Sequence, residues 1–310
     1  MIFKIIYVIV YKQLEGDIMS KVISILEENR LFDDRPEEIY VNKIADFFNN
    51  YKINPTSFNP FPKNIKRNND GYIMLNELPY IISDLNTETR RNSFWMILDN
   101  GSRIFVKEAD DDEMENELLF QELCKILNIP CANYDIAIIN GFKRLVSNSF
   151  LALDEYLVDY YGLSNKTYID IDKILIKADE LNHGLHFKQT LTIDGLVKNV
   201  DRFPKNYREI YNGHRHRICP LFDNGLRDKA RITMPFIGNS ASFYTILEYL
   251  MQDKEYKNWV EQYILNKKIP NIKEKIQNKK KIFIDNKTYD EFEMNLHQGK
   301  TLIKEAYKNS

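Results

Sequence analysis

Phe94-Trp95-Met96-Ile97-Leu98, Asp99-Asn100-Gly101-Ser102 and Arg103-Ile104-Phe105-Val106-Lys107 form one continuous stretch: two β-prone runs around a short polar break. Asn-Gly favours the left-handed backbone of tight hairpin turns, so the stretch predicts two antiparallel strands. The period then changes. Asp110, Asp111, Asp112 and Glu113 put negative charge where a starting helix exposes its N–H groups. Leu119, Leu123, Ile126 and Leu127 follow as an apolar stripe that ends before Pro130. Tyr134 to Ile139 alternates again as a strand, with Asn140-Gly141 as its turn. Strand, hairpin, strand, helix, strand is the order of a small β-rich lobe, placed at residues 76–150. From Leu151 onward the pattern is mainly helical except around residues 200 to 225, so residues 151–310 are expected to form a mostly helical second lobe. Toward the N-terminus, Val22, Ile25 and Leu26, then Ile44, Phe47 and Phe48, repeat at helical spacing before Pro55. An Asn-, Pro- and Lys-rich stretch from Asn54 to Gly71 then reads as a linker. Residues 1–75 are therefore expected to be a mainly helical extension. The fold class is α+β.

Composition narrows the functional classes. The chain has 310 residues, 44% hydrophobic and 28% charged, enough for two unequal cores. Its formal charge of −2 argues against direct nucleic-acid binding. Seven lysines and one glutamate between residues 267 and 281 read as a solvated helix face. Cys124, Cys131 and Cys219 lack a CxxC spacing and fit reduced thiols in a cytoplasmic protein. The apolar run Ile2 to Tyr11 is too short to span a bilayer as a helix, and reads as a strand or as an extension ahead of a start at Met19. No membrane partner is expected.

The chemistry concentrates in Val200-Asp201-Arg202-Phe203-Pro204-Lys205-Asn206, followed by Asn212-Gly213 and then by Asp223-Asn224-Gly225. Asn212-Gly213 lies between two β-prone runs and predicts a second hairpin. A hairpin brings the residues before its first strand close to those after its second, which gathers Asp201, Asn206 and Asp223. Phosphoryl transfer needs a carboxylate to orient the attacking hydroxyl and accept its proton, and oxygen ligands for Mg²⁺. Asp201 and Asn206 have the spacing of a catalytic base and a metal-binding amide, and Asp223 occupies the place of a second metal ligand. Lys205 is placed to neutralise the transferring phosphate or to sit in solvent. Upstream, Lys107 closes a strand and Glu117 follows ten residues later on the next helix. That is the arrangement that holds ATP phosphates, and it predicts a Lys107–Glu117 ion pair.

Asn116-Glu117 with Leu123, Ile129 and Pro130, then Asn199-Val200-Asp201-Arg202 with Lys205-Asn206, then Cys219-Pro220-Leu221-Phe222-Asp223-Asn224-Gly225, together resemble the HipA family of serine/threonine kinases. The resemblance implies a two-lobed protein-kinase-like fold, ATP and Mg²⁺ as cofactors, and a protein substrate with a Ser or Thr acceptor. It also implies autophosphorylation in many members and, in some, a toxin role with an antitoxin-like protein partner. Residue by residue, it makes Asp201 the base, Asn206 and Asp223 the metal ligands, Lys107 the phosphate-binding lysine and Glu117 its partner.

Ser83 to Ser93 stands where a phosphate loop belongs, yet it contains no Gly to let backbone N–H groups approach phosphate. The hydroxyls of Thr87, Thr89 and Ser93 and the guanidinium groups of Arg90 and Arg91 are the replacement donors. Arg144 to Phe150 is expected to be the hinge that meets adenine, with Ser149 and Phe150 as contacts; an ordinary core role for Phe150 stays open. Two alternatives to an active protein kinase remain: a pseudokinase that binds nucleotide or protein without turnover, and a small-molecule kinase. Zinc at His214, His216 and Cys219 is disfavoured, because a strand would place Cys219 on the face opposite the two imidazoles.

Overall fold

The computed structural model describes residues 46–53, 62, 65–83, 93–151, 155–159, 171–199, 206–224 and 242–310. It divides into two compact units. The first comprises Met1–Ala109, Asn133–Leu157 and Ile210–Arg215, and the second Asp110–Ala132, Val158–Glu209 and His216–Ser310. Of the expected N-terminal helices, the described residues include a short helix over 46–51, where the Phe47 and Tyr51 rings sit 4.7 Å apart.

The first unit is built on a six-stranded sheet: β1 (Ile73–Met74), β2 (Tyr80–Ser83), β3 (Ser93–Leu98), β4 (Arg103–Lys107), β5 (Tyr134–Ile139) and β6 (Phe142–Asn148), in the order β1-β5-β6-β4-β3-β2. The predicted hairpin forms, and Asn140-Gly141 is the turn expected after β5. The Asn100-Gly101 turn is closed by the Leu98 N–H donating to the Ser102 carbonyl at 2.9 Å, and Gly101 takes φ 79°, where a side chain would be disfavoured. Asn140 and Gly141 both have positive φ, so β5 returns directly into β6 with Ile139 opposite Phe142. Period-two alternation then sorts the side chains. Met96, Leu98, Ile104, Val106, Ala137, Ile139 and Val146 are buried in one cluster with Ile73 and Leu75. Residues between them in sequence occupy the other face.

Among the described residues, the second unit contains the α-helices α1 (Asp111–Leu127), α2 (Ile171–Glu180), α3 (Gly184–Val197), α4 (Phe243–Leu250), α5 (Lys254–Val260), α6 (Ile272–Lys280) and α7 (Asn286–Asn309). The long α7 packs on α3, α4 and α1. Gly299 permits this approach: a Cβ there would come within 2.9 Å of the Leu196 Cα on α3. A second sheet joins β7 (Tyr156–Asp159), β8 (Arg208–Tyr211) and β9 (His216–Ile218) in that order. Its β8–β9 hairpin is the one predicted at Asn212-Gly213, with the Asn212 side chain accepting the N–H groups of His214 and Arg215 at 3.2 and 2.9 Å. Among the described residues, no helix is long and apolar enough to cross a membrane.

Helix α1 begins and ends as its sequence predicts. Asp110 caps it by accepting the Glu113 N–H at 2.8 Å, and Asn128, at φ 58°, turns the chain out of it before Pro130. Its burial goes beyond one apolar stripe, because Glu113, Glu115, Asn116, Glu117, Gln121 and Glu122 are buried too. Buried polar groups need partners, and distant segments supply several. Glu115 accepts the Asp285 N–H at 3.0 Å, and Glu122 pairs with Lys125 and with Lys275 at 2.9 and 3.3 Å. Lys267 and Trp259 donate to the carbonyls of Ile126 and Leu127 at 2.8 and 3.2 Å. Part of the lysine-rich stretch thus secures α1 instead of standing in solvent.

Candidate active site

In the first unit, strand register places two of the candidate residues. Ser93 opens β3 directly opposite Lys107, the last residue of β4, and Lys107 faces Leu145 of β6 on its other side. Directly paired residues share a face. Trp95 and Phe105 are the next pair on that face, their rings 5.2 Å apart, and Arg103 follows two residues on. Lys107 therefore lies on the face away from the Ile104–Val106 core, at the sheet end where β3 emerges from the residue 84–92 segment. The Arg103 guanidinium donates to the Leu151 carbonyl at 3.0 Å, and burial lowers its pKa to about 10.

The expected hinge is shorter than its sequence suggested. Arg144 to Asn148 belong to β6, whose backbone is paired with β4 on one side and β5 on the other. A strand central in a sheet has its N–H and C=O groups taken by the ladder, so only Ser149 and Phe150 lie beyond it. The Ser149 N–H donates to the Arg103 carbonyl at 3.0 Å, and the Ser149 side chain exchanges bonds with the Leu151 backbone at 3.3 and 3.4 Å. Ser149 is buried and Phe150 half-buried.

In the second unit, Glu117, Asn206 and Asp223 are described. Asn206 is buried and stands just before β8, next to Tyr207, whose ring packs 5.3 Å from Phe187 of α3. Asp223 follows β9, so the two candidate metal ligands flank the same hairpin away from its turn. Asp223 has a left-handed backbone, φ 58°. Its chain segment is strapped down on both sides. The Leu221 N–H donates to the Pro130 carbonyl at 2.9 Å, and the Leu221 carbonyl accepts from the Ala132 N–H at 2.8 Å, so this segment pairs with the loop after α1. One residue past Asp223, the Asn224 N–H donates to Glu117 Oε1 at 2.6 Å and its side-chain Nδ2 to Oε2 at 3.2 Å. Glu117 is fully buried and Asn224 nearly so. Asn199, at the other entry to the hairpin, is held by the end of α3, its Nδ2 donating to Asp194 Oδ1 at 2.9 Å.

The structure thus joins Glu117 to the Asp223 segment, a link that sequence reasoning did not foresee. Asn224 was read as part of a motif and given no task, and its partner stands 107 positions away. Lys107 belongs to the first unit and Glu117 to the second. Asp201, Lys205, Thr87, Thr89 and Arg90 lie outside the described residues. His216, from the zinc alternative, pairs with Glu209 at 2.9 Å, and the Cys219 carbonyl lies 3.2 Å from His186 Nε2.

No family model matches the sequence, and no curated protein matches it. Solved structures do. The fold is similar to that of the Helicobacter pylori proinflammatory kinase CtkA, at a TM-score of 0.60 and 15% identity, over 77% of this chain and 99% of that one. A second similarity is to Shewanella oneidensis HipA in its complex with HipB and operator DNA, at a TM-score of 0.45 and 15% identity, over 66% of this chain and 58% of that one. The fold is α+β and kinase-like, with a β-rich unit and a mostly helical one.

Proposed function

We propose that the chain is an ATP- and Mg²⁺-dependent protein kinase that transfers the γ-phosphoryl group to Ser or Thr. The observation that supports this most is the Asn224–Glu117 contact. Two segments assigned independently to nucleotide machinery, the helix glutamate and the aspartate after the hairpin, are hydrogen-bonded to one another within a kinase-like fold. Asp201 accepts the proton of the acceptor hydroxyl as its oxygen attacks the γ-phosphorus and the bond to the β–γ bridging oxygen breaks, leaving ADP. Asn206 and Asp223 carry hard oxygen donors, which fit Mg²⁺. When bound, that ion neutralises phosphate charge. Lys107, with Ser93 opposite it, holds the phosphates together with Thr87, Thr89 and Arg90, and Glu117 is the partner that the resemblance assigns to that lysine; Lys205 neutralises the transferring group, and Ser149 and Phe150 serve adenine. Residues 76–150 and 151–310 are the two lobes in chain order, and 1–75 an extension. A cytoplasmic location and an antitoxin-like protein partner belong to the same reading.

The Gly-free segment between β2 and β3 favours one rival, a pseudokinase that binds nucleotide without turnover. Incubation with Mg²⁺ and γ-labelled ATP, beside Asp201→Asn and Asp223→Asn, separates the readings when labelled residues are mapped by mass spectrometry. Label on Ser or Thr that both substitutions remove is the expected result. Nucleotide binding without label would favour the rival or a small-molecule acceptor, and label that survives both substitutions would refute the assignment of the site.

A further inference from the structure

We infer that Asn224 is a positioning residue that couples helix α1 to the metal site by fixing the backbone of Asp223. The inference rests on the kinase reading and extends it to a residue which that reading leaves without a role. A left-handed backbone is disfavoured for any residue with a Cβ, although Asp tolerates it better than most. Such a conformation persists where the surroundings over-determine it. Here the next residue is held twice, by its main-chain N–H and by its side-chain amide, to the two oxygens of one carboxylate. Two bonds to a planar group fix orientation as well as distance. Glu117 has no solvent exposure and Asn224 1%, so water cannot substitute for either bond. Two residues before Asp223, Leu221 is tied to Pro130 and Ala132, just past the end of α1. These two anchors of the Asp223 segment lie on α1 or directly after it, and through them the place of the metal ligand follows the place of that helix.

The test is a calorimetric Mg²⁺ titration of binding to a non-hydrolysable ATP analogue, with metal-free binding measured alongside. Asn224→Asp sets a second carboxylate against Glu117. Glu117→Gln combined with Asn224→Asp restores complementarity, because the glutamine oxygen accepts the main-chain N–H while its amide donates to the new carboxylate. Asn224→Asp should raise the half-saturating Mg²⁺ concentration by about tenfold or more, with metal-free binding unchanged, and the double substitution should bring the Mg²⁺ requirement back toward wild type while weakening metal-free binding, because Glu117 is itself a proposed site residue. Asn224→Ala, expected to shift in the same direction, serves if Asn224→Asp does not fold by circular dichroism. An unchanged Mg²⁺ requirement in a folded Asn224 variant, an equal loss of its metal-free and Mg²⁺-dependent binding, or a double variant whose Mg²⁺ requirement is no lower than that of Asn224→Asp overturns the inference alone. Wild-type protein whose nucleotide binding ignores Mg²⁺ overturns both it and the kinase reading.

Discussion

The two units position candidate residues by different means. In the sheet, Lys107 is placed by strand register: the β3 and β6 ladders on either side of β4 determine both its depth and its face. In the helical unit, Asp223 is placed by side-chain chemistry, through the Asn224 bonds to a buried glutamate. Register is redundant, since many main-chain bonds specify it and losing one side chain does not shift it. The Glu117–Asn224 contact rests on a single carboxylate. Substitutions that leave the main chain intact should therefore be tolerated structurally at Lys107 and propagate at Asn224.

The largest effect tests the functional end of that contrast. Asp223→Asn should lower phosphoryl transfer by about a hundredfold or more while thermal stability stays near wild type, since it removes metal-binding charge and leaves the Asn224 clamp in place. A labelled-ATP assay beside a melting curve checks it, and a large loss of stability would mean that Asp223 has a structural role instead. Next in size, Ile104→Ala should destabilise the sheet by about 2–5 kcal/mol, because Ile104 is completely buried among tightly packed side chains. Hydrogen exchange resolves where the loss falls: β3 and β4 amides should lose protection before those of α3 and α7, and equal loss in both would erase the distinction between the units.

Two substitutions probe the helical side alone. The Thr192 hydroxyl meets the buried Tyr256 hydroxyl at 2.6 Å, and burial raises the Tyr256 pKa despite that bond. Thr192→Val strands the phenol and should cost about 1–3 kcal/mol, most of which a second change, Tyr256→Phe, should return; denaturant titration of both variants tests this. Gly299→Ala should cost about 1–3 kcal/mol by forcing α7 away from Leu196. The smallest effect expected is in pH. Burial would raise the Asp253 pKa, but its bond to Lys188 at 2.6 Å outweighs this and holds it below the usual value. Stability from this pair is present above the unfolded carboxylate pKa and lost as pH falls through the lower folded value. His183 is depressed by desolvation and by nearby His216, so its contribution declines earlier, as pH falls below the unfolded imidazole value of about 6.5. Melting temperature against pH should show both windows, and Asp253→Asn should remove only the lower one.

Legibility from sequence followed the range of the interactions. The Asn100-Gly101, Asn140-Gly141 and Asn212-Gly213 turns and the ends of α1 were all readable, because each depends on residues within a few positions. Residues 144–148 of β6 were read as hinge, since a run such as Arg144-Leu145-Val146-Ser147-Asn148 becomes a strand only when β4 and β5 are there to pair with it. Strands β1 and β2 went unread for a related reason: each is short, and β1 pairs in parallel with β5, more than sixty residues away. The burial of the polar side of α1 went unread. Its apolar stripe was legible, yet Glu113, Glu115 and Glu122 are buried as well, Glu115 against a segment as distant as Asp285.

The sequence by itself determined the kinase-like order of elements and which acids, amide and lysine are candidates for phosphoryl transfer, because hairpin turns, helix caps and motif spacing are local properties of the chain. Only the tertiary structure decided that Ser93 faces Lys107 across the sheet and that Asn224 is bound to Glu117. Those pairings depend on register and on burial. A buried carboxylate takes its partner from whatever donor the fold delivers, and no periodicity in the chain encodes which donor that will be.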